Sequence, residues 1–216
     1  MPLYLLDDDL WFPPPSEALP DGLLAIGGDL SVERLLLAYQ HGIFPWFNED
    51  EPPMWWSPDP RFVLFPGELH VSKSMKQVIH RQVFEFRVNT AFEQVISQCS
   101  SVRRKGMDGT WISPQVIDGY TELYNSGYAH SAEAWHGGQL VGGLYGVQLG
   151  KMFFGESMFS LKSNASKFAF ICWVQRLKEE GIRLIDCQVH TTHLESLGAR
   201  MISRADFIEM LANYAS

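Results

Sequence analysis

Apolar side chains recur along this chain at helical and strand spacings clear enough to predict most of its elements. Val32, Leu35, Leu36, Tyr39 and Ile43 follow Ser31 at helical spacing and Gly42 ends the run, predicting a helix capped by Ser31. Ser72 to His80 predicts a short helix with Met75, Val78 and Ile79 inward. Phe92, Val95, Ile96 and Cys99 mark another. Ser113-Pro114 is an N-cap followed by proline at the first helical position; Ile117, Tyr120 and Tyr124 line one face, and Gly127 stops the helix. A long helix spans about 164–180, closed by Gly181, and Ser203 caps a last one carrying Phe207, Ile208 and Leu211. Alternation marks strands at Phe84–Val88, His130–Trp135, Gln139–Leu149 and Met152–Phe154, with one more at Leu184–Val189. The Gly137-Gly138 and Gly150 turns favour an antiparallel meander. Ahead of these lie loop signals at Pro13–Pro15, Pro20–Gly22 and Gly27–Asp29. A Pro- and Trp-dense segment from Phe44 to Pro60 cannot run as a helix, because each proline removes a donor and restricts its predecessor.

Helix, antiparallel strands, long helix, strand, helix is an α+β order. It resembles the GCN5-related N-acetyltransferase fold, in which neighbouring strands splay to admit an acyl donor. The composition, 46% apolar and 19% charged over 216 residues, is that of a globular chain able to bury a sizeable core. Three scattered cysteines form no CxxC pair and no disulfide framework. With a start that is acidic where a secretory signal is basic, this leads us to expect a reduced, cytoplasmic protein. No run approaches the roughly 20 apolar residues of a membrane helix.

Net charge is −8, which weighs against nucleic acid until its distribution is considered. Residues 1–59 hold eleven acidic residues and one basic. Residues 61–105 hold eight basic (Arg61, Lys73, Lys76, Arg81, Arg87, Arg103, Arg104, Lys105) against three acidic, a local +5. Such a segment is either a solvated face or a small phosphate-binding patch.

Candidate chemistry narrows by elimination. No Ser or Cys sits in a glycine-flanked nucleophile elbow. Cys187, His190 and His193 share three-residue spacing, but Cys187 falls in a strand, so they share no helical face and no metal site is expected. Two carboxylates stand inside apolar strands. Asp186 and Gln188 are two apart in LIDCQV (184–189), hence expected on one strand face, and Glu156 lies among aromatics and Met158 in FFGESMF (153–159). Each is either a buried hydrogen-bonding group or a functional one. Gly142, Gly143 and Gly146 sit inside a strand, where glycine signals a bulge or a close backbone approach. The pyrophosphate-cradling signature of acetyl-CoA users is missing before the long helix, which begins KSNASK (162–167).

The stretches GLLAIGGDL (22–30), GIFPWF (42–47), WWSPDPR (55–61), GTWI (109–112), VGGLYGV (141–147), GESMFS (155–160) and LIDCQ (184–188) are similar to the bacterial leucyl/phenylalanyl-tRNA–protein transferases, in one order along nearly the whole chain. The resemblance implies a small N-terminal domain (1–61) ahead of an acyltransferase-like domain (62–216). It implies transfer of Leu or Phe, less well Met, from aminoacyl-tRNA to proteins with N-terminal Arg or Lys, marking them for N-degron proteolysis. No cofactor and no membrane are implied, and a monomer is expected. Asp186 and Gln188 match the pair that positions and deprotonates the amine, with Asp186 either a base or an orienting group. Glu156 matches the acid near the substrate's amino group and ribose. Leu144, Phe153, Met158 and Ile185 would form the side-chain pocket, with Ser157 beside it. Trp46 and Trp111 would stack on the terminal adenine, with Tyr120 nearby. Lys73, Lys76, Arg81, Arg103, Arg104 and Lys105 would touch tRNA. Many relatives carry Met where this chain has Leu144. A coenzyme A-dependent N-acetyltransferase and an inert RNA- or peptide-binding module are the competing readings.

Overall fold

The computed structural model describes residues 3–101 and 112–215; Arg103, Arg104, Lys105 and Trp111 lie outside the described residues. The caps predicted at Ser31, Ser113 and Ser203 hold, and Ser72 adds a fourth. Ser31, Ser72, Ser113 and Ser203 each accept a backbone N–H three residues on, starting α1 (Val32–Gln40), α2 (Lys73–His80), α4 (Pro114–Asn125) and α7 (Arg204–Tyr214). The third helix, α3, is Phe92–Ser101, the long helix, α5, is Ala165–Glu179, and a single turn, α6, is Thr192–Glu195. In α4 the buried face is Val116, Gly119, Tyr120 and Leu123, a rotation from the expected Ile117/Tyr120/Tyr124 stripe that leaves Ile117 and Tyr124 half-buried.

Among the described residues two sheets organise the chain. The smaller has β1 (Tyr4–Leu6), β2 (Leu23–Gly27), β4 (Met54–Trp56) and β3 (Phe44–Pro45) in that spatial order. The larger runs β11 (Arg200–Ile202), β5 (Arg61–Leu64), β10 (Leu184–Gln188), β9 (Met152–Ser160), β8 (Gln139–Leu149), β7 (Ala129–His136), β6 (Glu85–Val88). Its strands β7–β9 are the predicted antiparallel meander, and β6 adds antiparallel to β7 at its edge. Within this sheet, among the described residues, only the β9–β10 pair is parallel, the two strands being joined through α5 as a parallel pair requires. Helix α5 covers one face of the large sheet, burying Phe168, Phe170, Trp173 and Leu177, while α3, α4 and the small sheet contribute to the core on the other face. Gly142 makes the α5 contact possible: a Cβ there would meet Ala165 and the Ser166 amide at under 3 Å.

Strands β1, β2, β5 and β11 carry no sequence signal of their own. They are three to five residues long, and β5 is bracketed by Pro60 and Pro66. Conversely, β9 runs on to Ser160 rather than ending at Phe154, which puts Glu156 inside a strand. Among the described residues no helix is long and apolar enough to cross a membrane.

Candidate active site

Strands β9 and β10 pair from Leu184↔Met152 to Asp186↔Phe154 and then part company. Beyond that point β9 keeps its partner β8 and β10 keeps β5. Each strand carries a bulge at the fork. On β9, Ser157 pairs with Tyr145 and Gly155 with Gly146, leaving Glu156 as the extra residue. On β10, Asp186 pairs with Val63 and Gln188 with Phe62, leaving Cys187 extra. Bulges bend a strand and re-aim its side chains, and here both act on the same opening. A cavity of about 440 Å³ fills the fork, lined mainly by apolar groups with Glu156, Ser157, Asp186 and Gln188 at the strands.

The polar groups form one connected network. Glu156 Oε1 accepts from Tyr39 Oη at 2.7 Å and from Gln188 Nε2 at 2.9 Å, and Oε2 accepts from Tyr120 Oη at 2.9 Å. The two tyrosine hydroxyls also touch each other. Burial pushes the Glu156 carboxyl up to about 7, against the three donors, which hold it down, while the nearby Asp186 charge adds to the rise. Burial and the Glu156 charge likewise hold both phenols well above their usual range.

Asp186 is set differently. Its side chain is fully buried and meets Arg61 side-on, Nε to Oδ1 at 2.9 Å and Nη2 to Oδ2 at 2.6 Å. Oδ1 also accepts the Gln188 backbone N–H at 2.8 Å, which holds Gln188 in the left-handed region at φ 62°. The strict alternation expected for Asp186 and Gln188 is therefore broken by the bulge: Asp186 turns to Arg61, while the Gln188 amide turns to Glu156. Arg61 is itself 1% exposed, its guanidinium between the Phe44 and Phe207 rings at 4.6 Å from each. It leaves the surface patch in which its charge had been counted. Burial pushes the Cys187 thiol far up and Cys172 to about 11, so neither is an activated nucleophile.

Trp46 borders the same cavity from the small sheet. Its backbone N–H donates to Met54 O at 2.9 Å, and its backbone carbonyl accepts from Trp56 Nε1 at 2.6 Å. Its half-buried indole is tilted against that of Trp56, ring centroids 5.7 Å apart, and adds a flat aromatic group to the lining.

The family model described as leucyl/phenylalanyl-tRNA protein transferase matches residues 63–212, and the one for the N-terminal domain of the same family matches residues 28–59. A leucyl/phenylalanyl-tRNA–protein transferase of Syntrophobacter fumaroxidans is 55% identical over 98% of this chain and 91% of its own. That of Flavobacterium johnsoniae is 55% identical over 97% and 99%. The chain belongs to the leucyl/phenylalanyl-tRNA protein transferase family. Among solved structures it is similar to a GCN5-related N-acetyltransferase from Kribbella flavida, with 12% identity, a TM-score of 0.42, and coverage of 76% of this chain and 58% of that one.

Of the residues assigned from this family's motifs, Trp46, Leu144, Glu156, Ser157, Met158, Ile185, Asp186 and Gln188 line the one cavity. Tyr120 does not; it is fully buried behind Glu156, so its place is in the network rather than beside a base. Phe153 is also outside the lining, 1% exposed and edge-on to Trp173. Phe170 and Leu194 complete the apolar wall. Lys73, Lys76 and Arg81 are exposed on and just after α2, away from the cavity lining. Sequence reasoning missed Tyr39 and Arg61. Tyr39 reads as one more apolar helix position. Arg61 had a usable signal, a cation beginning the apolar run RFVL (61–64).

Proposed function

We propose that this protein moves Leu or Phe, less well Met, from its tRNA to the N-terminal Arg or Lys of acceptor proteins, marking them for N-degron proteolysis. The observation that carries the reading is the forked cavity: apolar walls, two carboxylates at the fork, and an indole in its lining, in a chain of this family. It acts as a monomer in the cytoplasm, with residues 1–61 as the N-terminal domain that supplies Trp46 and residues 62–216 as the catalytic domain.

The aminoacyl ester is already activated, so no ATP is required. The acceptor's neutral α-amine attacks the ester carbonyl, and the ribose oxygen of the terminal adenosine leaves with a proton. Leu144, Met158, Phe170 and Ile185 receive the Leu or Phe side chain. The unbranched Met158 adapts to a branched or a flat group. Rejection of β-branched Ile and Val rests on shape, since one methylene is worth about 1–3 kcal/mol in such a pocket. Trp46 stacks on the adenine, worth about 1–3 kcal/mol. Gln188 and Glu156 hold the reacting nitrogen, and Lys73, Lys76 and Arg81 contact tRNA phosphates. Arg103, Arg104, Lys105 and Trp111 are further tRNA contacts on the family resemblance.

The test is a transfer reaction with Phe-tRNA and a peptide beginning with Arg, read by mass spectrometry. Gain of one phenylalanine at the N-terminus is expected. Acetylation from acetyl-CoA in its place would favour the coenzyme A reading.

A further inference from the structure

Two carboxylates stand at the fork, and the hydrogen bonding gives them different work. Both Asp186 oxygens are occupied by the Arg61 guanidinium, one of them also by the Gln188 N–H, and the side chain keeps no accessible surface. To take a proton it would have to break a buried ion pair. Glu156 lies in the β9 bulge, 9% exposed and on the cavity wall. Resting on the aminoacyl-transfer reading, we propose that Glu156 takes the proton from the attacking amine and returns it to the departing ribose oxygen. In the same proposal Arg61 and Asp186 are positioning residues that aim Gln188.

The step balances. The amine lone pair forms the C–N bond and the carbonyl π pair moves onto oxygen. An N–H proton passes to the Glu156 carboxylate. The oxyanion then collapses, the C–O bond to ribose breaks, and the Glu156 proton goes to that oxygen, restoring the carboxylate.

The surroundings suit a group that must hold either charge state. Tyr39 from α1 and Tyr120 from α4, with Tyr145 of β8 behind it, place hydroxyls at Glu156. When Glu156 is a carboxylate both phenols donate. When it carries a proton, a phenol rotates and accepts, because a hydroxyl serves in either direction. From β10 come the Gln188 amide and the Asp186 carboxylate, the latter matched by Arg61 of β5. Among the described residues at the fork, Glu156 is thus the carboxylate without a cationic partner. Its ionisation near 7 lies where a general base works best.

Single-turnover transfer from Phe-tRNA to an Arg-initiated peptide, followed against pH, tests this. Ionisation of the acceptor amine is common to all variants and cancels in the ratio to wild type. Glu156→Gln is expected to be about 100-fold slower above pH ~7, with the deficit closing at lower pH, where wild-type Glu156 is also protonated. The neutral double variant Arg61→Met/Asp186→Asn is expected to be slower by a factor that does not close. Tyr39→Phe removes a donor that favours the carboxylate, so its deficit should be largest at low pH. That arm stands on its own if Glu156→Gln fails to fold. A pH-independent deficit in Glu156→Gln or in Tyr39→Phe, or a deficit of the double variant that closes as pH falls, would overturn the proposal.

Discussion

Glu156 and Asp186 sit in one cavity wall yet have different partners, phenols and an amide for the one and a guanidinium for the other. The Glu156 carboxyl ionises at about 7 in the folded chain against an ordinary 4.5. A raised value means the fold prefers the neutral acid, so this contribution to stability is complete below about pH 4.5 and is lost as pH rises through about 7. Equilibrium denaturation should therefore show wild type losing stability between those limits relative to Glu156→Gln; parallel curves would contradict the assignment. Arg61 gives a second test at this scale. Arg61→Met strands a fully buried carboxylate and should lower stability by about 3–5 kcal/mol, much of it regained in Arg61→Met/Asp186→Leu, which buries no lone charge. A double variant as unstable as the single one would place the effect in lost packing between Phe44 and Phe207. The Asp186 and Glu156 sites were legible as polar residues in apolar strands. The pairing of Asp186 with a residue 125 positions away was not, because spacing along a chain carries no information on contacts that only the sheet creates.

At the scale of elements, two bulges convert ordinary strands into a site. The β8–β9 bulge depends on Gly146, where a Cβ would run into the Phe154 carbonyl oxygen and the Phe153 ring. Gly146→Ala should lower stability by about 1–3 kcal/mol through overpacking and should reduce transfer further by displacing Glu156. Thermal unfolding together with single-turnover rates would separate the two effects, and a variant with wild-type rates would show that the bulge does not set Glu156. Helices were readable from sequence where a serine cap precedes a periodic apolar run, as at Ser31, Ser72, Ser113 and Ser203. The glycines of β8 were readable as a bulge or a close approach, and the structure shows both, a bulge at Gly146 and close approaches at Gly142 and Gly143. Short strands were not readable. β5 is an arginine and three apolar residues between prolines, and only its place between β10 and β11 makes it a strand. Alternation also failed at β10, since a bulge shifts the period by one residue at the position where function needs it.

Over the whole molecule, an acidic chain has to meet a polyanion, which it can do only through a local patch. Lys73, Lys76 and Arg81 stand exposed on and just after α2, in the one segment whose balance is positive. If Lys73 and Lys76 each neutralise a phosphate, replacing both with alanine should lower the slope of log affinity against log salt by about 2 and weaken binding of all tRNAs alike. Transfer from a minimal aminoacyl-adenosine donor, which has no acceptor stem, should be unchanged in that variant. An unaltered salt slope would return the patch to a merely solvated face. The small sheet and the large one share a continuous apolar core, with Trp55 and Leu24 in the same cluster as Phe154 and Val147, so Trp46 is carried on a frame joined to the strands of the fork. The most direct test of the account is a side-by-side transfer assay with radiolabelled Leu-tRNA, Phe-tRNA and Ile-tRNA and an acceptor beginning with Arg. Label should reach the acceptor from Leu-tRNA and Phe-tRNA and not from Ile-tRNA. No transfer from any of the three, or equal transfer from Ile-tRNA, would contradict it.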